Sequence, residues 1–325
     1  MSELRPPTLV DVLEARRRLV GHLAPTPLRR YSNLAALTGA ETWVKHENFQ
    51  PTGAFKVRGG VNLVSQLSEE ERRRGVVAAS TGNHGQSIAY AARLFGVSAV
   101  ICAPTGANRL KVASMEELGA EVVLHGERYD DARRHCEELA QRHGYRYVHS
   151  GDEPLLIAGV ATYTLEILEA EPRLDAIIVP IGGGSGAAGA CLVAQAANPD
   201  LQVIGVQSEA APAAFQSWRR GELVEAPNRT VAEGLSTATA FELPQRILRE
   251  HLTDFVLVTD AEILAAVALM LERTRTLVEA AGAAPLAAAL KLRERLAGKR
   301  IALVCSGANI TPEQLRETLS AVPAG

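Results

Sequence analysis

Cysteine is scarce and scattered: Cys102, Cys136, Cys191 and Cys305 are the full set, and no two form a CxxC pair. That spacing argues against a disulfide framework. Cys102 and Cys305 end the apolar runs Val100-Ile101-Cys102 and Leu303-Val304-Cys305, where a small buried hydrophobe is expected. Long hydrophobic stretches are missing too. No apolar run reaches the ~18 residues that a membrane helix needs. The first residues lack the charged segment and apolar core of a secretory signal, so a cytoplasmic protein without membrane partners is expected. Aromatics make up only 4 %, and neither sign of charge prevails, with 34 Lys+Arg against 37 Asp+Glu and a formal charge of −3. A chain so balanced lacks the basic surface of a general nucleic-acid binder. Its one cationic run, Arg72-Arg73-Arg74, follows three glutamates and reads as the solvated end of a surface helix.

What the chain does have is alternation. Short β-branched runs at 76–80, 99–102, 121–124, 145–149, 176–180, 203–206, 255–258 and 301–305 read as strands. Helical stretches near 85–95, 108–118 and 130–143, and Ala-rich segments further on, separate them. Residues 41–47 offer one more strand. Strands and helices alternating at this spacing argue for parallel-rich sheets in an α/β fold. At 325 residues the chain outgrows one compact core, so two domains are expected. We place the larger one at 1–50 plus 149–325 and a smaller one at 51–148.

Four segments carry chemistry. Residues Ala176–Ile181 lead into Gly182-Gly183-Gly184-Ser185-Gly186-Ala187-Ala188-Gly189 and then an Ala-rich helix. A glycine loop between strand and helix lets backbone N–H groups converge on an anion, helped by the helix N-terminus. A tight turn that only packs helix on sheet is the plainer reading. Gly184–Gly189 also satisfies G-x-G-x-x-G, and Glu209 follows at the distance of a ribose-binding acid, so an NAD-dependent oxidoreductase is a rival. The second segment, Gly53-Ala54-Phe55-Lys56-Val57-Arg58-Gly59, sets one lysine among small and apolar residues after a Pro-Thr-Gly turn. Such neighbours desolvate an amine and lower its pKa toward that of a usable nucleophile. A solvated surface lysine is the alternative. The third, Ser80-Thr81-Gly82-Asn83-His84-Gly85, is a polar turn opening a helix, suited to a carboxylate or simply to capping. The fourth, Ser306-Gly307-Ala308-Asn309, ends a late strand.

In order and spacing these four segments resemble the fold type II (β-family) pyridoxal-phosphate enzymes, and among them the threonine/serine dehydratase and serine racemase branch. Pro25-Thr26-Pro27-Leu28 and Ile157-Ala158-Gly159 also fit, and the resemblance runs over about residues 8–318. It implies a two-domain α/β fold like that of the tryptophan synthase β chain, with pyridoxal 5'-phosphate between a large cofactor domain and a small mobile one. It implies that Lys56 binds the cofactor and then serves as base at Cα, that Phe55 packs beside the ring, and that Asn83 meets the ring hydroxyl. Gly182, Gly183, Gly184, Ser185 and Gly186 would cradle the phosphate, and Ser306 would face the pyridine nitrogen. Ser80, Thr81, Gly82, Asn83 and His84 would receive the substrate carboxylate. Gly234 and Glu279 match positions near the cofactor; for Glu279 the plainer role is a carboxylate at a helix N-terminus.

The implied reaction is β-elimination from a 3-hydroxy amino acid, giving a 2-oxo acid and ammonia, with L-threonine and L-serine as the expected substrates. A serine at the ring nitrogen brings no charge to hold that nitrogen protonated, which favours prompt loss of the β-hydroxyl. Racemisation is the nearest rival, since Thr81 stands where racemases of this branch place a hydroxyl. Departures from the family pattern, Ser185 in the glycine loop and Val160-Ala161 in place of a Gln-Gly step, leave phenylserine and 3-hydroxyaspartate open as substrates. Gln207, Ala211 and Ala213 stand where metal-activated relatives are acidic, so no metal is expected. No C-terminal regulatory domain is expected, and the resemblance implies a homodimer.

Overall fold

A computed structural model describes residues 4–321. Ten strands are present among them: β1 (Leu28–Arg30), β2 (Glu41–His46), β3 (Val76–Ala79), β4 (Ala99–Ala103), β5 (Glu121–Leu124), β6 (Arg146–Tyr147), β7 (Ala176–Pro180), β8 (Gln202–Ser208), β9 (Asp254–Val258) and β10 (Arg300–Cys305). They form two sheets, in the orders β5-β4-β3-β6 and β1-β2-β10-β7-β8-β9. The chain divides into two compact units, one made of residues up to Ala24 with Lys56–Val160, the other of Pro25–Phe55 with residues from Ala161 onward. These bounds differ from the division at 50/51 and 148/149 read from the sequence. The helix Leu9–Leu19 accounts for the largest difference, because Leu19 and Leu23 share a core with Val57, Val61 and Ile88.

In the first unit all four strands run parallel. β3 reads Val-Val-Ala-Ala and is buried at every position, the uninterrupted apolar pattern of a strand covered on both faces. Only Arg146 and Tyr147 of the expected 145–149 run pair as β6. Beyond Val148 the backbone leaves the sheet for a turn. Helix Val57–Val64 lies close to helix Asn83–Phe95 because Gly60 has no side chain; a Cβ there would sit 2.4 Å from Ser87 Oγ. Gly59 does the same toward Leu156, whose carbonyl oxygen would be 2.9 Å from an added Cβ.

The second unit is built on the six-stranded sheet. Its strands are parallel except β1, a three-residue edge strand antiparallel to β2 that the sequence pattern did not announce. β10 occupies an interior position, paired with β2 on one side and β7 on the other. A buried polar knot fixes the approach to β1. Lys45 of β2, fully buried, places Nζ 2.5 Å from Glu166 Oε2 and 2.7 Å from the Thr26 carbonyl. Thr26 Oγ1 donates to Glu47 Oε1, and Thr26 N donates to Glu166 at 3.2 Å. This ties the Pro25–Leu28 segment to the sheet. Among the described residues no helix is long and apolar enough to cross a membrane.

A buried ion pair is costly to break and less costly to replace whole. Glu166→Leu, which leaves the Lys45 ammonium buried, is expected to lose ~3–5 kcal/mol of stability. The double variant Lys45→Met/Glu166→Leu is expected to recover most of that. Denaturant unfolding of the singles and the double checks it; additive losses would show that the two groups are not coupled.

Candidate active site

The first unit carries Lys56 and the loop from Ser80 to His84. Lys56 stands at the N-cap of helix Val57–Val64, and its carbonyl accepts from Gly59 N, Gly60 N and Ser87 Oγ, which locks its backbone. The side chain is half-buried, and Nζ donates to the Ser150 carbonyl at 3.0 Å. Loss of water around the amine lowers its pKa from 10.5 to about 8. That shift puts a usable fraction of neutral amine within reach of ordinary cellular pH.

The loop follows β3 and opens the helix Asn83–Phe95. Ser80 is buried, and its hydroxyl oxygen accepts from Gly82 N at 3.1 Å and Gly85 N at 2.9 Å, so Ser80 braces the loop from within. Thr81, Gly82 and Asn83 are half-buried. His84 is buried, with Nε2 3.2 Å from the Val148 carbonyl. A carbonyl only accepts, so Nε2 carries the proton and Nδ1 is left as a buried acceptor with no hydrogen-bond partner among the described residues. Burial, the charge of Lys56 and the neighbouring His149 bring its pKa down to about 3. A neutral imidazole presenting a lone pair cannot donate to a carboxylate. Any donation from this loop to an anion would then come from its backbone N–H groups and from Thr81 and Asn83.

The second unit gathers Phe55, Gly182–Gly186, Gly234, Glu279 and Ser306. The loop after β7 ends at the helix Ser185–Ala197, with Gly184 at φ 90 as its N-cap. Each glycine meets something on its outer side. A Cβ on Gly182 would lie 2.3 Å from Gly234 O, on Gly183 2.3 Å from the Phe241 ring, on Gly184 3.0 Å from Pro244, and on Gly186 3.1 Å from the Phe55 ring. The backbone is thus pressed against its supports, and the helix N-terminus is left to face an anion. Tyr163, whose ring meets Phe55 edge-on, donates its hydroxyl to Gly186 O at 2.9 Å.

Ser306 is buried just past the end of β10. Its carbonyl accepts from Phe55 N at 3.0 Å, Ala308 N donates to Gly53 O at 2.8 Å, and Asn309 Nδ2 donates to Thr52 O at 2.9 Å. Glu279 is buried at the N-cap of helix Ala280–Lys291 but makes no side-chain cap bond there. Its Oε1 lies instead 2.5 Å from where a Gly307 Cβ would be and 3.8 Å from the same point on Gly234. The carboxylate has turned to the Gly234–Gly307 side. Sequence reasoning missed Ser150, His149, Tyr163 and Phe241. Ser150 and Tyr163 act through backbone and hydroxyl contacts that leave no local pattern.

Gly189 and Glu209, which in the sequence suit a dinucleotide site, have structural tasks of their own. Gly189 is needed because a Cβ there would lie 2.9 Å from Ala161, a helix-packing requirement. The Glu209 carboxylate pairs with Lys291 Nζ at 3.5 Å. In the first unit a desolvated lysine suits an aldehyde; in the second a glycine loop at the start of a 13-residue helix suits a phosphate and a neutral buried serine suits a ring nitrogen, the groups of pyridoxal phosphate.

Comparison with known proteins points the same way. Residues 19–307 match the family model described as pyridoxal-phosphate dependent enzyme. An L-threonine ammonia-lyase of Thermotoga maritima is 39 % identical over 93 % of this chain and 76 % of its own. An L-threo-3-hydroxyaspartate ammonia-lyase of Saccharomyces cerevisiae is 36 % identical over 97 % of each. Among solved structures, serine racemase from Dictyostelium discoideum superposes with a TM-score of 0.88 at 34 % identity, covering 94 % of this chain and 99 % of that one. With its lysine, its glycine cradle and its buried serine in the order of that family, the chain belongs to the pyridoxal-phosphate dependent enzymes of fold type II.

Proposed function

We propose that this protein is an ammonia-lyase that eliminates water from an L-3-hydroxy amino acid, with L-threonine and L-serine as first substrates, to release a 2-oxo acid and ammonia. The observation that carries the reading is the Lys56 amine, desolvated, lowered to about 8 and oriented by the Ser150 carbonyl at 3.0 Å. The relatives named ammonia-lyase support the choice of reaction. When bound, pyridoxal phosphate draws electrons from the substrate's Cα and makes its proton acidic.

The protein's own part is binding and proton handling. Lys56 would hold the cofactor and take the proton at Cα. The Thr81–His84 N–H groups at the start of their helix would hold the substrate carboxylate, and Asn83 would meet the ring hydroxyl. Gly182–Gly186 would hold the phosphate, with Phe55, Gly234 and Glu279 as the residues to line the ring's surroundings. Ser306 would serve the ring nitrogen. Because a hydroxyl brings no charge, it cannot keep that nitrogen protonated as a carboxylate would. Early departure of the β-hydroxyl is then favoured over a long-lived carbanion. A hydroxyl at Thr81 supports a secondary racemase activity that shares the first proton abstraction. Assembly as a homodimer and a cytoplasmic location belong to this proposal and rest on the family resemblance.

Three measurements test it. In Lys56→Ala, turnover is expected to fall on the order of a thousandfold or more, with loss of the visible-edge absorbance of the lysine-bound cofactor. If that absorbance survives, another group carries the cofactor. In protein stripped of cofactor, the rate of rebinding pyridoxal phosphate should rise with pH through about 8, since the neutral amine is the nucleophile. A midpoint near the ordinary 10.5 would show that Lys56 is solvated. Finally, the holoenzyme is offered L- and D-threonine, serine, phenylserine and threo-3-hydroxyaspartate, with oxo-acid release and optical purity followed together. Oxo acid from L-threonine or L-serine is expected to exceed racemised product; the reverse ratio would make the protein a racemase.

A further inference from the structure

The turn that meets Lys56 is built around a ring nitrogen. His149 Nδ1 accepts from Asp152 N at 2.8 Å and from Gly151 N at 3.2 Å. Both partners are donors, so Nδ1 holds a lone pair and the ring proton lies on Nε2. The residues on either side of His149 reach the site. Val148 O receives His84 Nε2, and Ser150 O receives Lys56 Nζ. A short stretch of backbone, pinned by two neutral imidazoles, thereby supplies the carbonyl that the amine addresses.

We propose that His149 is a positioning residue for the elimination: by holding the Ser150–Asp152 turn it aims the Ser150 carbonyl at the Lys56 amine. An amine with one N–H committed to a fixed acceptor loses free rotation about its last bond, and its lone pair keeps one direction. The proposal rests on Lys56 being the base at Cα. It also requires His149 to stay neutral. Protonation of Nδ1 would set a third N–H against those of Gly151 and Asp152 and open the turn.

Several charged groups face this ring. Asp152 Oδ2 lies 3.8 Å from Nδ1 and, with Glu137, favours the charged form. Arg133 and Lys56 oppose it, and burial, the largest influence, opposes it further. Tyr147 meets the ring edge-on at 6.2 Å, and His84 is neutral. The net direction is downward from 6.5, so the ring is neutral at working pH and charges only as the pH falls below that value.

The test compares wild type, His149→Ala and His149→Asn as holoenzymes, with kcat and KM for L-threonine measured between about pH 5 and 8.5. Asparagine can accept from backbone N–H groups two and three residues on, as the imidazole does, but does not titrate. His149→Ala is expected to lower kcat by about tenfold or more with KM changed less than about twofold. His149→Asn should restore kcat to within about threefold; it keeps the acid limb that Lys56 sets near 8 but lacks the further fall expected of wild type below about 6.5. Wild-type kcat in His149→Ala would overturn the proposal, as would a further fall below about 6.5 that persists in His149→Asn. Should His149→Ala fail to fold, the pH profile of His149→Asn decides alone. Failure of the functional reading looks different: wild type itself would then release no oxo acid from any substrate of the panel.

Discussion

The placement of Lys56 depends on three hydrogen bonds made by the segment that precedes it in the chain. Phe55 N to Ser306 O, Ala308 N to Gly53 O and Asn309 Nδ2 to Thr52 O lace the segment Thr52–Phe55 to the end of β10. β10 is held on both edges by parallel neighbours, so the lacing starts from one of the stiffest parts of its sheet. The backbone that delivers Lys56 is therefore fixed up to the residue before it. On the other side, the Lys56 carbonyl is taken by Gly59 N, Gly60 N and Ser87 Oγ. The amine inherits its place from backbone bonds on either side, and its lowered pKa from the absence of water around it.

Within each unit the segments described above are held largely by groups that carry no formal charge. The glycine backbones after β7 press on their supports, the loop after β3 is braced by the Ser80 hydroxyl, and His84 is held neutral. Oriented N–H groups at a helix start attract an anion without a formal charge of their own. Charge enters at particular places: Lys111, buried, lies near Gly82, Asp152 lies beside His149, and Glu279 is a buried carboxylate turned to Gly234 and Gly307 rather than to its own helix.

Much of this was legible in the amino-acid order. The apolar runs at 76–80, 99–102 and 176–180 became parallel strands because buried parallel strands need no alternation of polar residues, while the run at 121–124 forms a parallel edge strand with exposed ends. The glycine loop and the Ser80–His84 turn were visible because anion sites of this kind need specific small residues at strand-to-helix junctions. Other features left no local trace. β1 is three residues long, too short for a periodic signal, and exists because Lys45 and Thr26 hold it to β2. The N-terminal helix joined the unit of Lys56 through the contacts of Leu19 and Leu23, which no spacing reveals. His84 shows the limit most clearly. Its place after β3 follows from its neighbours in the chain, but its tautomer is set by the Val148 carbonyl, 64 residues away.

The interior place of β10 also sets an order of assembly. During synthesis β2 leaves the ribosome well before its parallel partner, the stretch Arg300–Cys305, so one edge of β2 stays open until that stretch has been made. At ~5–20 residues per second that interval lasts on the order of ten seconds or more. The unit that holds Lys56 ends at Val160 and has all its strands by then. A nascent chain would thus complete one unit while an unpaired strand of the other waits, exposed to the wrong neighbours. β1 covers the opposite edge of β2, so only the edge that later meets β10 waits for its partner.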